Sequence, residues 1–550
     1  MTARPTLESG AEWGLGEVRR LPVRCRSKRR TPALALLACI ALMAGCASAP
    51  PASDTAIALE GQFDGIGATA VLDPKSRFTG SPYADVARSG LFAVRGLDDC
   101  ELAVLAGGED SFAVRMAALG AAQHSIRIQA LVFNGDESGL RVAEVLKQKK
   151  AAGLDVRIIV DAFSNPALQS QWMYFDLKQH GIEVEGYEAM ALQWLNEVPI
   201  PNLTPHYDPE QLDKRFHEKL WIIDGETDHG IAVTGGMNIG NEYFRANPED
   251  PDRTWRDQDV VVRGTILNDL VDAFDRNFDY FVEVKKSRGI FNTNLYWDAT
   301  RAVLDETGML PISYTTDPAI EANVTRMEAR RPTLDYRPAT CRFLQNRPRL
   351  KETYIQQAYL KLIERAKREI LIANAYFVPT PTLARALKAA AQRCVSVRLI
   401  SNSPDTNDLP EISLVGRGHY GDLLSVNETA VVQACANPDA GIRIWEWVGQ
   451  SPDEPARSQG TMHSKFAVFD GERSLVGSYN LDPRSERLNS ESALVFRQPR
   501  LAKQLRAAFL DHDLRFSREV TPKLAASFEA PEDVIQRFRK SLAELFRDEL

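Results

Sequence analysis

One stretch of this chain is written twice. Ser125-Ile-Arg-Ile-Gln-Ala-Leu-Val-Phe133 alternates and is rich in β-formers, so it reads as a strand. A helical pattern follows over 139–152, then Gly153 and a second strand, Val156-Arg-Ile-Ile-Val-Asp161. Later come Glu369-Ile-Leu-Ile-Ala-Asn-Ala-Tyr376, a helical pattern over 381–393, and Val397-Arg-Leu-Ile-Ser401. Ile126 to Ile370 is 244 residues and Val156 to Val397 is 241. Strands alternating with helices predict parallel βαβ units with helices covering the sheet. A period this long is a duplicated domain rather than a solenoid repeat. The expected class is therefore α/β, in two related halves.

The same offset carries the reactive residues. His217-Glu-Lys-Leu-Trp-Ile-Ile-Asp224 and His463-Ser-Lys-Phe-Ala-Val-Phe-Asp470 both read His-x-Lys-x-x-x-x-Asp, and the two histidines are 246 residues apart. Side chains alternate along a strand, so His217 and Lys219 face one way and Glu218 the other, and likewise for His463 and Lys465. An imidazole beside an ammonium makes an anion site with a potential nucleophile. Beyond each motif lies a small-residue turn and an amide: Gly235-Gly236-Met237-Asn238 and Gly477-Ser478-Tyr479-Asn480. Asn238 and Asn480 can donate to a phosphate, and small residues such as Gly236 and Ser478 let backbone approach it. Asp257 and Glu491 then offer one acid per half. A single such motif would be a solvated strand edge; two copies with the same downstream pattern point to one shared site. His124, His180, His206, His229, His419 and His512 have no repeat partner and read as structural or exposed.

Charge narrows the substrate. Residues 1–45 hold eight Lys/Arg against three Glu, which leaves 58 basic and 71 acidic residues in the remainder, a balance of −13. Nonspecific nucleic-acid binding needs phosphates neutralised by Lys and Arg, so nucleic acid is not the expected partner. Within 1–45, seven basic residues from Arg19 to Arg30 precede an apolar run from Pro32 to Ala44, too short to span a bilayer. This reads as a secretory signal. Its end, Leu42-Met43-Ala44-Gly45-Cys46, resembles the lipobox of bacterial lipoproteins, with Met43 where Leu is usual. A plain signal cut near Ala47-Ser48-Ala49 is the alternative. Cys46 is the candidate lipidation site, Pro50-Pro51-Ala52-Ser53 a tether, and the periplasmic face of the outer membrane the expected location, ahead of the inner membrane. Export permits disulfides. Cys100 with Cys341 is the preferred pair, at similar positions in the repeat, while free buried thiols remain open.

On these motifs the sequence resembles the phospholipase D superfamily, marked by the paired His-x-Lys-x4-Asp motif. Phe377-Val378-Pro379, Ser401-Asn402-Ser403 with Asn407-Asp408, and the run Gly477 to Ser485 are similar to its bacterial cardiolipin synthase branch. The resemblance implies two αβα-sandwich domains related by a pseudo-twofold, with one active site between them. It divides the chain into 1–45 (signal), 46–94 (tether and N-terminal segment), 95–285 (first domain), 286–340 (inter-domain segment), 341–520 (second domain) and 521–550 (amphipathic C-terminal helix). It implies a covalent phosphohistidine, with His217 as nucleophile and His463 as acid–base, although the motif's symmetry does not decide between them. Lys219, Lys465, Asn238 and Asn480 would hold the phosphate oxygens. Asp257 and Glu491 would orient the imidazoles, each serving the histidine of the opposite half. Asp224 and Asp470 belong to the motif, yet a salt bridge or turn cap suits them better than substrate contact. No cofactor or metal is expected.

The expected reaction is phosphatidyl transfer between phospholipids; a monomer is compatible with it, and the sequence leaves the oligomeric state open. Hydrolysis to phosphatidic acid is the alternative, and a nuclease of the superfamily comes third. The connection 186–212, with Trp194, Leu195, Ile200, Pro201 and Leu203, has the length of a lid or binding segment. Its apolar residues suit acyl chains or packing onto the second domain.

Overall fold

The structure, a computed structural model, describes residues 90–105, 107–161, 164–186, 214–287, 313–350, 352–453 and 456–529. The expected signal, Cys46 and the tether lie outside the described residues, as do the connection from 187 to 212, His206 and most of the C-terminal helix.

The first half supplies nine strands: β1 (Glu101–Leu105), β2 (Ser125–Ala130), β3 (Asp155–Val160), β4 (Glu183–Glu185), β5 (Arg215–Phe216), β6 (Leu220–Ile223), β7 (Ile231–Gly235), β8 (Asp259–Arg263) and β9 (Arg337–Pro338). The second supplies β10 (Thr340–Asn346), β11 (Glu369–Asn374), β12 (Ser396–Asn402), β13 (Gly441–Trp447), β14 (Lys465–Phe469), β15 (Arg473–Gly477), β16 (Asn489–Arg497) and β17 (Ser517–Glu519). One sheet runs β4-β3-β2-β6-β7-β8-β1-β9, and the other, read from its far edge, runs β17-β13-β12-β11-β14-β15-β16-β10. With the edge strands β9 and β17 set aside, the two orders correspond strand for strand. The halves are a duplicated α/β domain.

The sheets are mixed: the expected parallel βαβ units are present as β2-β3 and β11-β12, and antiparallel strands complete each sheet. Apart from the short β5–β16 pair that joins the halves, only β2-β3-β4 and β11-β12-β13 are parallel among the named strands. The strands from β6 to β8, and from β14 to β16, pair antiparallel with their sequence neighbours. For β6-β7 and β14-β15 the cause is the connection. The turns after Asp224 and Asp470 are too short for a crossover, which needs a dozen or more residues, so the chain returns as a hairpin.

Alternation along the motif strands builds the layers. Leu220 and Ile222 join Phe466 and Val468 in one central core, with Leu270 and Phe274 of the helix Leu267–Ser287 and Leu501 and Leu505 of the helix Pro499–Ala507. Trp221 and Ile223 face outward onto a core shared with Phe112, Leu119, Val142 and Leu146, from the helices Gly108–Ala121 and Glu137–Ala151. In the second half Ala467 and Phe469 face a matching outer core. Each sheet is thus covered on both faces, and the central core locks one half to the other.

Two disulfides are present, Cys100–Cys341 and Cys394–Cys435. The first joins equivalent positions of the two halves, 241 residues apart, beside β1 and in β10. No helix among the described residues is long and apolar enough to cross a membrane.

Candidate active site

The two motif histidines stand just ahead of β6 and β14, where the chain crosses to the opposite half. Arg215 and Phe216 pair in parallel with Asn489 and Ser490, and the His217 amide donates to the Ser490 carbonyl at 2.9 Å. The equivalent bridge joins Arg256 to Met462, and the His463 amide donates to the Arg256 carbonyl at 2.6 Å. The acid one residue past each carbonyl therefore belongs to the other half's histidine. Nδ1 of His217 lies 2.9 Å from both carboxylate oxygens of Glu491, and Nδ1 of His463 lies 2.8 Å from Oδ2 of Asp257. The crossed pairing is a consequence of backbone register.

Lys219 and Lys465 donate to the carbonyls of their own histidines, His217 at 2.6 Å and His463 at 2.5 Å. The two histidines are 5% and 4% exposed, so they keep a narrow opening, while both lysines are 1% exposed. Burial lowers both imidazoles well below the ordinary histidine value, and the lysines add to it. Lys219, Lys465 and Arg484 act on His217; Lys465, Lys219 and His217 itself act on His463. The four side chains thus sit in one field. Burial lowers Lys219 to about 7 and Lys465 to about 8, and raises Asp257 and Glu491 to about 7. Two ammonium groups against two carboxylates leave the pocket close to neutral, with neutral imidazoles. A phosphodiester anion restores charge to the lysines, because an opposite charge close by favours the ionised form.

The duplication breaks at three equivalent positions around the acids. Glu491 accepts hydrogen bonds from Ser478, Ser485 and Asn489. Their counterparts near Asp257 are Gly236, Tyr243 and Trp255. A Cβ at Gly236 would collide with the Asp257 carboxylate. Tyr243 meets the His463 ring edge-on at 5.2 Å, and Trp255 lies tilted by 34° at 5.5 Å. Asp408, whose carboxylate takes the Tyr376 hydroxyl at 2.7 Å, acts on His463 in the raising direction. One histidine therefore has a hydrogen-bonded acid and a cation, Arg484, nearby. The other has an aromatic wall and a second carboxylate.

Several expected residues do other work. The Asp224 carboxylate accepts the amides of Gln123, His124 and Ser125, and Asp470 accepts those of Lys367, Arg368 and Glu369. Both adopt left-handed backbone, φ 50° and 55°, which aspartate tolerates better than most residues. They cap the far ends of the motif strands, seven residues of extended chain or roughly 20 Å from the histidines. The motif's last position thus caps the strand end away from the imidazoles. Asn238 is partly spent inside the protein, since Nδ2 donates to the Tyr243 hydroxyl and Oδ1 accepts from Val132. Asn480 keeps a buried Oδ1 without a partner. Glu218, facing away from Lys219, accepts from Gln129 and Asn277 of its own half and from Gln345 and Ser490 of the other. It ties the halves beneath the site. Sequence reasoning assigned nothing to Glu218, Tyr243, Trp255, Tyr376, Ser485 or Asn489. Trp255 and Asn489 stand two residues before the two acids, and that equal spacing is the only signal that singles them out. His229 lies exposed in a turn, as expected. Among the described residues no three His, Cys, Asp or Glu side chains are placed to hold one metal ion.

Known proteins resemble this chain in sequence and in fold. The chain is 27% identical over 391 residues to a cardiolipin synthase of Geobacillus thermodenitrificans (strain NG80-2), a match covering 71% of this chain and 62% of that protein. It is 26% identical over 425 residues to the major cardiolipin synthase of Bacillus subtilis (strain 168), covering 77% and 71%. The match thus spans less than two thirds of the first relative's length. A crystal structure of a phosphatidylserine synthase of Haemophilus influenzae Rd KW20 superposes with a TM-score of 0.53 at 14% identity, covering 85% of this chain and 98% of the other. At that identity the likeness is one of fold. The family model described as the cardiolipin synthase, PLD-like domain matches residues 116–282 and 359–513, more than half of the chain. The protein belongs to this phospholipase D-like family and carries its domain in two copies.

Proposed function

We propose that the protein is a phosphatidyltransferase that moves a phosphatidyl group from one phospholipid to the alcohol of a second, as in cardiolipin synthesis. The observation that carries this is the crossed pair of imidazoles, each held at Nδ1 by the other half's carboxylate beside Lys219 and Lys465. His217, neutral and oriented by Glu491, attacks phosphorus through Nε2 and forms a phosphorus–nitrogen bond. The phosphorus–oxygen bond to the leaving alcohol breaks, and His463, which takes up a proton at Nε2 when the phosphodiester anion enters the pocket, gives that proton to the leaving oxygen. The acceptor alcohol then loses its proton to His463 and attacks phosphorus, and the bond to His217 breaks. Splitting one displacement into two lowers each barrier. Lys219 and Lys465 hold the oxygens on which charge develops.

The surroundings favour this assignment of roles. An imidazolium is stabilised by Asp257, by Asp408 and by the aromatic wall of Trp255 and Tyr243. Arg484 opposes one at His217. We assign the shuttled proton to His463 accordingly. A site completed within one chain supports a monomer. The two disulfides support an oxidising compartment, in keeping with an exported lipoprotein anchored at Cys46 on the periplasmic face of the outer membrane.

The test incubates purified protein with phosphatidylglycerol and identifies products by mass spectrometry. Cardiolipin with released glycerol is expected. Phosphatidic acid instead would make the enzyme a hydrolase, and inert lipid beside cleaved DNA would overturn the reading. His217→Ala and His463→Ala should each abolish turnover while the fold is retained. Only His463→Ala should still accumulate phosphoenzyme, from donors with an activated leaving group.

A further inference from the structure

Strand direction sets which end of the molecule carries the pocket. Gln129 near the end of β2 pairs with Leu220 at the start of β6, and Asn374 at the end of β11 pairs with Lys465 at the start of β14. The C-terminal ends of the parallel strands in both sheets therefore point toward one mouth. The chain leaving β3 on that side reaches Leu168, the first residue of the helix Leu168–Gln179. The chain leaving β12 reaches Leu409, just ahead of the helix Pro410–Arg417. The two leucines are 241 residues apart, the offset of the strands that precede them. They are 62% and 47% exposed.

A scattered exposed leucine needs no explanation; this pair is not scattered. The other large exposed apolar residues among those described are Val94, Leu97 and Val431, and they belong to the opposite end. Leu97 lies two residues from Asp99, which accepts the Thr265 hydroxyl beyond the end of β8. Val431 precedes the start of β13. Both rim leucines lie in fixed backbone. The Leu409 amide donates to Asn407 at 2.9 Å, and Asn165 bonds the carbonyls of Leu131 and Asp161 just ahead of Leu168. Each leucine thus follows the C-terminal end of a parallel strand on the side that carries the histidines, one in each half.

We infer that Leu168 and Leu409 insert into the surface of a phospholipid bilayer and seat the mouth of the active site against the headgroups. This rests on the reading of the site as one for phospholipid, whose substrates stay in such a surface. An extended apolar surface suits one exposed leucine from each half on the side of the site, and shallow apolar insertion is how peripheral proteins hold an interface.

The full-length protein and a Leu168→Ser/Leu409→Ser double variant are compared on phosphatidylglycerol vesicles and on short-chain phosphatidylglycerol dissolved as monomers. The variant should lose about tenfold or more on vesicles, the scale set by burying one leucine, and keep its rate on monomers. Equal activity on vesicles overturns the inference, as does an equal loss on both substrates. In a second variant, Leu409→Trp, adding vesicles should blue-shift the fluorescence gained over wild type, and no shift counts against insertion. Wild type inert toward both lipid forms would sink the reading of the site and this inference with it. An active wild type matched by the double variant would sink the inference alone.

Discussion

Glu491 and Asp257 hold equivalent places, yet their isosteric amides should not cost the same. In Glu491→Gln the amide nitrogen must take the place of one carboxylate oxygen. Oε1 faces the Asn489 and Ser485 donors, whereas Oε2 faces Ser478. A nitrogen at Oε1 would meet the Asn489 amide hydrogen, while the Ser478 hydroxyl can turn to accept. The nitrogen therefore goes to the Oε2 position, and Oε1 still accepts from Nδ1 of His217. The tautomer survives and only the charge is lost. A charge-assisted hydrogen bond contributes about 1.5–3 kcal/mol, so kcat should fall about 10- to 100-fold. In Asp257→Asn the Gln258 amide donates to Oδ1 at 2.7 Å and keeps an oxygen there. The new amide nitrogen then faces His463, forces its proton onto Nε2 and removes the lone pair that must accept one. Such a tautomer error costs about 10⁴ in the triad enzymes. Steady-state release of headgroup, with Tm recorded for both variants, measures the contrast. Equal losses, or a larger one for Glu491→Gln, would refute the reasoning about which oxygen each acid must keep.

Burial lowers Lys219 to about 7 and Lys465 to about 8. These ammonium groups are present below those values and lost as pH rises through them, so kcat/KM for an anionic lipid should fall above about pH 8; a profile flat to about pH 10 would contradict this. Asp224→Asn should lower thermal stability by about 1–3 kcal/mol, the scale for a buried hydrogen-bonded group left poorly satisfied, and leave kcat unchanged in the folded fraction. Reducing the disulfides should cost more. Closing a 241-residue loop through Cys100–Cys341 stabilises by about 5 kcal/mol in the chain-entropy model, and Tm with and without reductant reads the loss.

The repeat and the reactive pairs were legible because each is a local pattern. A period of two puts His217 and Lys219 on one face whatever the strand pairs with, and a constant offset exposes the duplication. Strand partners were not legible. Nothing in Leu-Trp-Ile-Ile says that β6 runs antiparallel to β2, since an apolar run buried on both faces looks alike in either kind of sheet. The aspartate closing each motif reads as a cap for a local reason too. Its constant spacing from His and Lys comes from the length of the strand between them, and the same spacing suits a cap at the strand's far end. The asymmetric wall was hidden by unequal connections. Tyr243 and Ser485 are 242 residues apart, but Trp255 and Asn489 only 234, so no single offset aligns them.

That asymmetry is what the proposed two-step reaction demands. Two equivalent histidines in identical pockets would titrate together, and each would be as ready to be protonated as the other. One displacement through a phosphohistidine needs a bare nitrogen and a proton donor at the same instant, on opposite sides of phosphorus. Backbone register gives both rings a carboxylate, and exchanging those carboxylates between the halves makes each half depend on the other. The register alone cannot tell the two sides apart. Ser478, Ser485 and Asn489 on one side, with Gly236, Tyr243 and Trp255 on the other, do so without moving either imidazole from its place on the strand. Hydroxyls and an amide hold Glu491 as an acceptor and damp its pull on a proton at His217. An Asp257 that lacks those donors, beside an indole face, strengthens that pull at His463. The fold thus supplies the symmetry that brings the rings together, and the side chains around the acids supply the difference that gives them separate tasks.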